Sequence, residues 1–233
     1  MKWETFLDYD ALSARAAAIF LDAIRDDPRL VLGLPTGRTP LGMYERVVAE
    51  CSREYRCFRD VVTFNLDEYA GISCEHPGSY CTFMQGVLFD HVDIAPENAH
   101  IPNGAASDLE AECAEYERAI AHAGGLGLTF LGLGSNGHIA FNEPGTPWTS
   151  RTRVVELTES TRAANASLFP GEAVPTKAIT MGIATILASR RIVLLASGER
   201  KRAAIERLRS GERSDDFPAS ALHTHSDVTV LVA

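Results

Sequence analysis

A glycine-rich stretch at positions 130–145, F-L-G-L-G-S-N-G-H-I-A-F-N-E-P-G, carries side chains suited to proton transfer. The apolar run 128–133 indicates a buried strand that stops at a glycine turn. Beyond the turn, Asn136, His138 and Glu143 follow closely. Imidazole titrates near neutral pH, and a carboxylate can orient or charge it. The pattern predicts acid–base chemistry at this turn, with a merely hydrogen-bonded histidine as the alternative.

A pair of adjacent carboxylates, Asp67 and Glu68, follows a second predicted strand over 60–66. Two such groups at a strand end are costly unless they are paired or used. Successive residues of an extended chain point in different directions, so only one of the two needs to face a cleft. A helix cap or a solvated turn is the alternative interpretation.

A third strand, predicted over 30–34, runs into the loop P-T-G-R-T-P and then into a helix over 41–50. A strand, a glycine loop and a helix start together present backbone N–H groups to a phosphate. Hydroxyls and a guanidinium add to this loop, which contains Thr36, Gly37, Arg38 and Thr39. Lys201, just inside a later helix, could reach the same phosphate, although a surface lysine is the alternative.

Alternating patterns organise the rest of the chain. They predict helices over 10–26, 80–88, 107–122 and 177–187, and a further helix that continues from the segment ending at Lys201 to about 208. They predict strands over 191–196 and 228–232. Ser107 fits an N-cap, with Glu110 at the capping-box spacing. Strands and helices alternate, which predicts one α/β domain over residues 1–233 with a doubly wound, mostly parallel, Rossmann-like sheet and helices on both faces. The irregular pattern within 146–176 predicts a mobile lid.

Composition narrows the possible functions of these 233 residues. A hydrophobic fraction of 45% is ample for a large core, and a net charge of −9 argues against nucleic acid as a partner. No apolar run approaches the roughly 18 residues of a membrane span, and the N-terminus lacks an apolar signal core. We therefore expect a cytoplasmic protein without a membrane partner.

The five cysteines are odd in number and form no C-x-x-C pair. This spacing favours reduced thiols over a disulfide framework or a zinc site. We therefore expect no metal and free thiols at Cys51, Cys57, Cys74, Cys81 and Cys113.

Six motifs, in order along the chain, resemble those of the glucosamine-6-phosphate deaminase family, which is similar in fold to 6-phosphogluconolactonases. The resemblance extends from about residue 30 to residue 201. The motifs are L-G-L-P-T-G-R-T-P (32–40), F-N-L-D-E-Y-A-G (64–71), H-P-G-S-Y (76–80), G-H-I-A-F-N-E-P-G (137–145), S-R-T-R (150–153) and S-G-E-R-K (197–201).

The resemblance implies an enzyme that converts glucosamine 6-phosphate and water to fructose 6-phosphate and ammonia without a cofactor. It implies that Asp67 is the base that moves a proton between C2 and C1. It implies that His138, helped by Glu143 and Asn136, opens the pyranose ring. The implied phosphate-binding residues are Thr36, Gly37, Arg38, Thr39 and Lys201.

Three positions depart from the family pattern. Asn136 stands where many members carry Asp, Arg38 replaces the second glycine of the loop, and Ser167 stands where an arginine is expected. Arg38 could supply the charge missing at Ser167. These changes leave open another hexosamine 6-phosphate such as galactosamine 6-phosphate, a lactone-hydrolysing relative, or a sugar-phosphate sensor without activity.

Family members that are activated by N-acetylglucosamine 6-phosphate carry a longer C-terminal segment and bind that activator between subunits. They also use a basic residue two positions after the arginine that matches Arg153, where this chain has Val155. The resemblance therefore implies a possible homo-oligomer that is not the allosteric hexamer type.

Overall fold

The computed structural model describes residues 1–53 and 58–233. In this part of the chain the strands are β1 Lys2–Thr5, β2 Val31–Leu34, β3 Val62–Asn65, β4 Asp67–Tyr69, β5 Ala99–His100, β6 Leu128–Gly132, β7 Arg153–Glu156, β8 Lys177–Thr180, β9 Arg191–Ala196 and β10 Val228–Val232. The helices are α1 Tyr9–Asp26, α2 Leu41–Cys51, α3 Tyr80–Val87, α4 Leu109–His122, α5 Glu159–Asn165, α6 Ile183–Leu187 and α7 Arg202–Arg209. Short 3₁₀ segments include Glu199–Lys201 and Pro218–Thr224.

Seven strands form one parallel sheet in the order β1-β10-β9-β6-β2-β3-β5. The strands β2, β9 and β10 are almost wholly apolar and buried, as expected where helices cover both faces of a parallel sheet. The predicted α/β class and parallel sheet are therefore confirmed. The edge strand β1 was not predicted, because its sequence K-W-E-T shows no apolar run.

Two hydrophobic cores lie on opposite faces of this sheet. Helices α1 and α2 cover the first, in which Phe20 stacks on Phe130 with ring centroids 5.3 Å apart. Helices α4, α6 and α7 contribute Tyr116, Ile186 and Leu208 to the second. Because each face is covered by its own helices, the sheet presents only its edges and strand ends to ligands.

A second, antiparallel sheet of β4, β8 and β7 lies beyond the carboxyl end of β3. The prediction of a single helix over 177–187 is wrong, because this segment contains strand β8 followed by the short helix α6. Strand β8 pairs with β4 on one side and β7 on the other, so its backbone groups find partners across two strands. A short apolar run fits either structure, and only its neighbours decide which one forms.

The N-cap predicted for α4 is wrong by one residue. Asp108, rather than Ser107, caps this helix, and its Oδ1 accepts hydrogen bonds from the backbone N–H groups of Glu110 and Ala111. Aspartate and serine are about equally good caps, so adjacent candidates cannot be separated by residue type alone.

A disulfide joins Cys74 to Cys81, so the prediction of reduced thiols is wrong for these two residues. The loop after β4 returns to the first turn of α3 and brings their Cα atoms to 5.1 Å, within the usual range for a disulfide. The thiol of Cys113 is free and buried. Cys57 lies outside the described residues. The location of the protein in the cytoplasm, which was predicted from the sequence, stays a prediction.

Candidate active site

Four neighbouring strands of the large sheet end at the same edge, and each leads into predicted site residues. Strand β2 leads into the loop 35–40, β3 into Asp67, β6 into the turn 134–138, and β9 into the segment that contains Lys201. The order β9-β6-β2-β3 places these carboxyl ends side by side. This edge is where open α/β sheets bind ligands.

Glu143 contacts both of the other residues of the predicted acid–base group. Its Oε2 accepts a hydrogen bond of 2.6 Å from the Nδ2 of Asn136 and lies 3.5 Å from the Nδ1 of His138. The Oδ1 of Asn136 accepts a hydrogen bond of 3.2 Å from the backbone N–H of His138. Asn136 therefore orients both the carboxylate and the turn, while proton transfer is left to the imidazole and the carboxyl group.

The carboxyl group of Glu143 is ionised at neutral pH. Burial opposes its charge, but hydrogen bonds with His138, Thr161 and Asn136 outweigh burial and lower the pKa of Glu143 to about 2. A carboxylate in this position stabilises an imidazolium and holds the ring in one orientation. An imidazole paired in this way can exchange a proton with a ligand atom that it contacts.

Two glycines in the turn make room for this histidine. A Cβ atom at Gly134 would lie 2.4 Å from the His138 ring. Gly137 has a φ of 87°, and a Cβ there would lie 2.1 Å from the ring of Phe217. Only glycine fits both places, because one requires close packing and the other also requires a left-handed backbone.

Asp67 is a buried carboxyl group with an unusual proton affinity. Its side chain is 6% exposed. Burial, together with the charge of neighbouring Glu68, raises the pKa of Asp67 to about 8. A carboxyl group with such a pKa is both a stronger base than an ordinary aspartate and partly ionised near neutral pH, which suits it to abstract a proton from carbon.

Glu68 points elsewhere and has a structural role. Its carboxylate accepts hydrogen bonds of 2.8–3.0 Å from the backbone N–H groups of Tyr69, Tyr80 and Cys81. Two of these donors belong to the first turn of α3, so Glu68 satisfies helix N–H groups that would otherwise be unpaired. The helix-cap alternative therefore holds for Glu68, whose carboxylate is used in binding these N–H groups.

Tyr80 connects Asp67 with the loop 35–40. Burial and then the charge of Asp67 raise the pKa of Tyr80, and its hydroxyl forms a hydrogen bond with the side chain of Thr36. Tyr80 also lies 3.4 Å, oxygen to oxygen, from the hydroxyl of Tyr69. Tyr80 is therefore near enough to Asp67 to feel its charge and also interacts with Thr36 of the loop 35–40.

Tyr9, which the sequence analysis missed, fixes the backbone of the loop 35–40. Its hydroxyl lies within hydrogen-bond distance of the carbonyls of Arg38 (3.1 Å) and Thr39 (3.0 Å) and accepts a hydrogen bond of 2.8 Å from the N–H of Gly42. The Tyr44 hydroxyl donates to the carbonyl of Pro35. A tyrosine at a helix start carries no local signal for this contact, because the loop is about 30 residues away in sequence.

Lys201 and Arg38 face the same region. Burial and then the charge of Arg38 lower the pKa of Lys201. Two cations that repel each other across a site are stabilised by an anion between them. Ser167 is exposed in the 3₁₀ segment Ala166–Leu168, and the structure does not show it against Arg38.

The segment 146–176 contacts the site motif 137–145 at two places, one of which is a residue of the acid–base group. The guanidinium of Arg153 donates to the Oδ1 of Asn142 at 2.9 Å and contacts the hydroxyl of Thr146 at 3.4 Å. The hydroxyl of Thr161, at the start of α5, donates to the Oε1 of Glu143 at 2.5 Å. Thr161 was also missed by the sequence analysis, although Thr158, which caps α5, is of a residue type that is favoured at helix N-caps.

Among the described residues, no three His, Cys, Asp or Glu side chains are grouped so that they could hold a metal ion. No helix in the same part of the chain is long and apolar enough to cross a bilayer.

The parallel sheet, the site at its carboxyl edge and the small antiparallel sheet beyond it define a class of α/β protein built to hold a small ligand. The family described as glucosamine-6-phosphate isomerases/6-phosphogluconolactonase matches residues 8–231. The chain therefore belongs to this family, and the resemblance seen in its motifs is confirmed.

Relatives in the deaminase branch are similar over nearly the whole chain. A glucosamine-6-phosphate deaminase of Lysinibacillus sphaericus (strain C3-41) is 53% identical over 99% of this chain and 98% of that protein. Glucosamine-6-phosphate deaminase 1 of Bacillus subtilis (strain 168) is 52% identical over 96% of this chain and 93% of that protein.

The solved structures agree in fold. One described as a monomeric glucosamine-6-phosphate deaminase has a TM-score of 0.97 and 51% identity, covering 100% of this chain and 97% of that one. A 6-phosphogluconolactonase from Thermotoga maritima has a TM-score of 0.78 and 19% identity, covering 99% and 98%, and shares the fold.

Proposed function

We propose that this enzyme is a glucosamine-6-phosphate deaminase, which isomerises glucosamine 6-phosphate and releases fructose 6-phosphate and ammonia. One observation carries the proposal. The buried Asp67 follows strand β3 and the His138–Glu143 pair follows strand β6, and both strands end at the same edge of the sheet. An isomerisation that begins from a closed sugar needs both groups. One must open the ring, and the other must move a carbon-bound proton.

The reaction starts with ring opening at His138. A proton moves from the anomeric hydroxyl to the ring oxygen as their shared carbon becomes the C1 aldehyde, and the imidazole can relay it. Glu143, ionised and in contact with the imidazole, stabilises the charge that the ring acquires. The product of this step is the open-chain amino aldehyde.

Asp67 then moves the proton that interconverts aldose and ketose. Its carboxylate removes the proton from C2, a C1=C2 double bond forms, and the C1 oxygen takes up a proton that the C2 ammonium group releases. The carboxyl group of Asp67 then returns its proton to C1, which leaves a hydroxymethyl group at C1 and a protonated imine at C2. Water adds to that carbon and ammonia departs, which leaves the C2 ketone of fructose 6-phosphate and accounts for all atoms of the overall reaction.

The loop 35–40 and Lys201 are the proposed phosphate-binding group. Backbone N–H groups, two threonine hydroxyls and the two cations of Arg38 and Lys201 supply the donors that a phosphate prefers. The lowered pKa of Lys201 beside Arg38 supports this assignment, since an anion between the two cations would relieve their repulsion.

A substrate panel tests the proposal. Ammonia release would be measured in a coupled assay with glucosamine 6-phosphate and galactosamine 6-phosphate, and acid release with 6-phosphogluconolactone. Ammonia from the glucosamine compound is the expected result. Ammonia from galactosamine 6-phosphate alone would show that this epimer is the substrate. Acid release alone would show that the protein is a lactonase. Binding without any turnover would favour a sensor.

Removal of the Arg38 side chain is expected to weaken substrate binding. Arg38→Gly should raise KM about tenfold with a smaller effect on kcat, because a binding contact made equally in the ground and transition states is lost. Steady-state kinetics with glucosamine 6-phosphate measure both constants. Arg29→Gly, an exposed arginine at the opposite end of β2, is the control.

The same variant tests whether Arg38 replaces the arginine expected at position 167. Addition of Ser167→Arg to Arg38→Gly should restore KM towards the unmodified value. A double variant that binds no better than Arg38→Gly would show that these positions do not substitute for each other.

Tyr9→Phe is expected to loosen the loop 35–40 without touching the reacting atoms. The change removes the hydroxyl that lies within hydrogen-bond distance of two loop carbonyls and accepts a hydrogen bond from the N–H of Gly42. We expect KM and the inhibition constant of inorganic phosphate to rise together, by about three- to tenfold, with kcat nearly unchanged. Leu7→Ala, at a nearly fully exposed neighbouring side chain, is the control. A fall in kcat alone would contradict this account.

Hyperbolic kinetics without activation by N-acetylglucosamine 6-phosphate are the expected behaviour. Val155 is partly buried against a cluster that includes Tyr69 and Phe141, and it offers no charge to a phosphate. The guanidinium of Arg153 is engaged with Asn142 and Thr146. The solved relative described as monomeric fits an enzyme that acts as a single chain.

Saturation curves with and without millimolar activator test this expectation, and sedimentation measures the oligomeric state. A sigmoid curve that becomes hyperbolic with the activator would reveal two states with different affinities, which this proposal does not include.

A further inference from the structure

Glu143 is held from two sides by different parts of the chain. Its Oε2 contacts Asn136 and His138, which lie in the turn after β6. Its Oε1 accepts hydrogen bonds from Thr161 at 2.5 Å and from Thr158 at 3.4 Å. Both threonines lie at the start of α5, within the segment 146–176 that the sequence predicts as a lid.

We propose that Thr161 is a positioning residue, which sets the orientation of the Glu143 carboxylate and thereby makes the alignment of His138 depend on the docking of α5. The proposal rests on the proposed function for its chemistry, because it concerns the histidine assigned to ring opening. Its geometry stands independently of that function.

The two oxygens of a carboxylate cannot move separately. Rotation of the Glu143 carboxylate plane that carries Oε1 away from α5 also carries Oε2 away from the imidazole, since both atoms turn about the same bond. Glu143 is half-buried, so a lost protein partner is incompletely replaced by water. The hydroxyl of Thr161 therefore acts on His138 through a rigid group.

Thr161 is itself held in place. Its side chain is buried, and Thr158, the N-cap of α5, accepts a hydrogen bond of 3.2 Å from the N–H of Thr161. The Thr158 hydroxyl also lies 3.0 Å from the Thr161 hydroxyl. The donor to Glu143 is thus fixed only when the first turn of α5 is formed and docked, which would align the ring-opening histidine once the segment 146–176 is closed.

The test compares Thr161→Val, Thr161→Ser and the matched control Thr176→Val. Valine keeps the shape of threonine but removes the hydroxyl, serine restores the hydroxyl, and Thr176 is an exposed threonine at the far end of the same segment. The first measurement is made without substrate. Nitrogen-15 spectra of the seven histidines at fixed pH would report the ring of His138, whose signal is identified by its loss in His138→Gln.

We expect Thr161→Val to shift the ring-nitrogen signals of His138, whereas Thr161→Ser and Thr176→Val should leave them at the unmodified positions. Identical His138 signals in Thr161→Val and the unmodified chain would overturn the inference. This result does not depend on turnover. Failure of the chain to release ammonia would therefore count against the proposed function, and not against the effect of Thr161 on the orientation of His138.

Turnover and binding then locate the effect. With glucosamine 6-phosphate, Thr161→Val should lower kcat about tenfold or more, and Thr161→Ser should recover most of it. Affinity for the open-chain alcohol obtained by reducing C1 of that substrate should stay within about twofold, because this compound has no ring to open. A loss of affinity equal to the loss of kcat would indicate general damage to the site and would contradict a positioning role.

Discussion

Asp67→Asn is expected to reduce kcat by at least about 10²-fold and to leave substrate affinity within a few-fold. The amide keeps the shape of the side chain but cannot accept a proton from C2. Steady-state rates, together with direct binding of the reduced open-chain alcohol, separate the two effects. Asp60→Asn, at the exposed start of the same chain segment, is the matched control. A variant that keeps more than about a tenth of kcat would show that Asp67 is not the base.

The same substitution should also increase stability, which gives a second and independent measurement. The pKa of Asp67 is about 8 in the folded chain and about 3.9 in an unfolded chain. Between these values the folded state holds a proton that the unfolded state releases, so stability falls as pH rises from about 4 to about 8. Asparagine removes this dependence. We expect the gain in the free energy of unfolding to grow across that range to on the order of 2–5 kcal/mol at pH 8.

The pH dependence of the unmodified enzyme follows from the same pKa. Because the ionised form of Asp67 is the base, kcat/KM should rise with pH and level off above about 8.

Denaturant unfolding of the Asp67→Asn and unmodified chains at several pH values measures the stability difference. A constant difference between pH 4 and 8 would mean that the carboxyl group of Asp67 is not strongly perturbed.

His138→Gln is expected to have the second largest effect, a loss of about 10²-fold or more on the closed pyranose. Glutamine can form hydrogen bonds but cannot exchange a proton near neutral pH. An analogue of the substrate that lacks the oxygens at C4 and C5 can close neither a furanose nor a pyranose ring, so it needs no ring opening, and the variant should lose much less activity on it. His122→Gln, at the exposed end of α4, is the control. Equal losses on both substrates would exclude a role confined to ring opening.

Local sequence was sufficient to predict the parallel sheet and several of its elements. The runs at 31–34, 191–196 and 228–232 are apolar because their strands are buried on both faces, and this property is visible without any partner. The helix at Tyr9–Asp26 is long enough for its amphipathic repeat to be unambiguous. These predictions are confirmed.

The positions of the site residues were also predictable, for a topological reason. Parallel strands end at one edge of the sheet, so residues that follow them must gather there. Asp67, His138 and Lys201 follow strands β3, β6 and β9. The family motifs pointed to the same residues, and family membership is now confirmed. The catalytic and binding roles of these residues stay predictions.

Elements that depend on pairing with another segment of the chain were not predictable. Strand β8 was mistaken for a helix because its identity comes from pairing with β4 and β7. The disulfide depends on how the loop after β4 meets α3, which brings two cysteines seven positions apart into contact. Neither pairing leaves a pattern within its own segment.

The sequence by itself determined which residues have the chemistry, and only the tertiary structure decided how each one is tuned. Asp67 and Glu68 are adjacent carboxylates, but burial raises the pKa of Asp67 to about 8, whereas Glu68 accepts hydrogen bonds from the N–H groups of α3. Tyr9 and Thr161 act on loops and turns far away in the chain. Proton affinity and orientation depend on burial and neighbouring dipoles, and these exist only after distant segments have packed together.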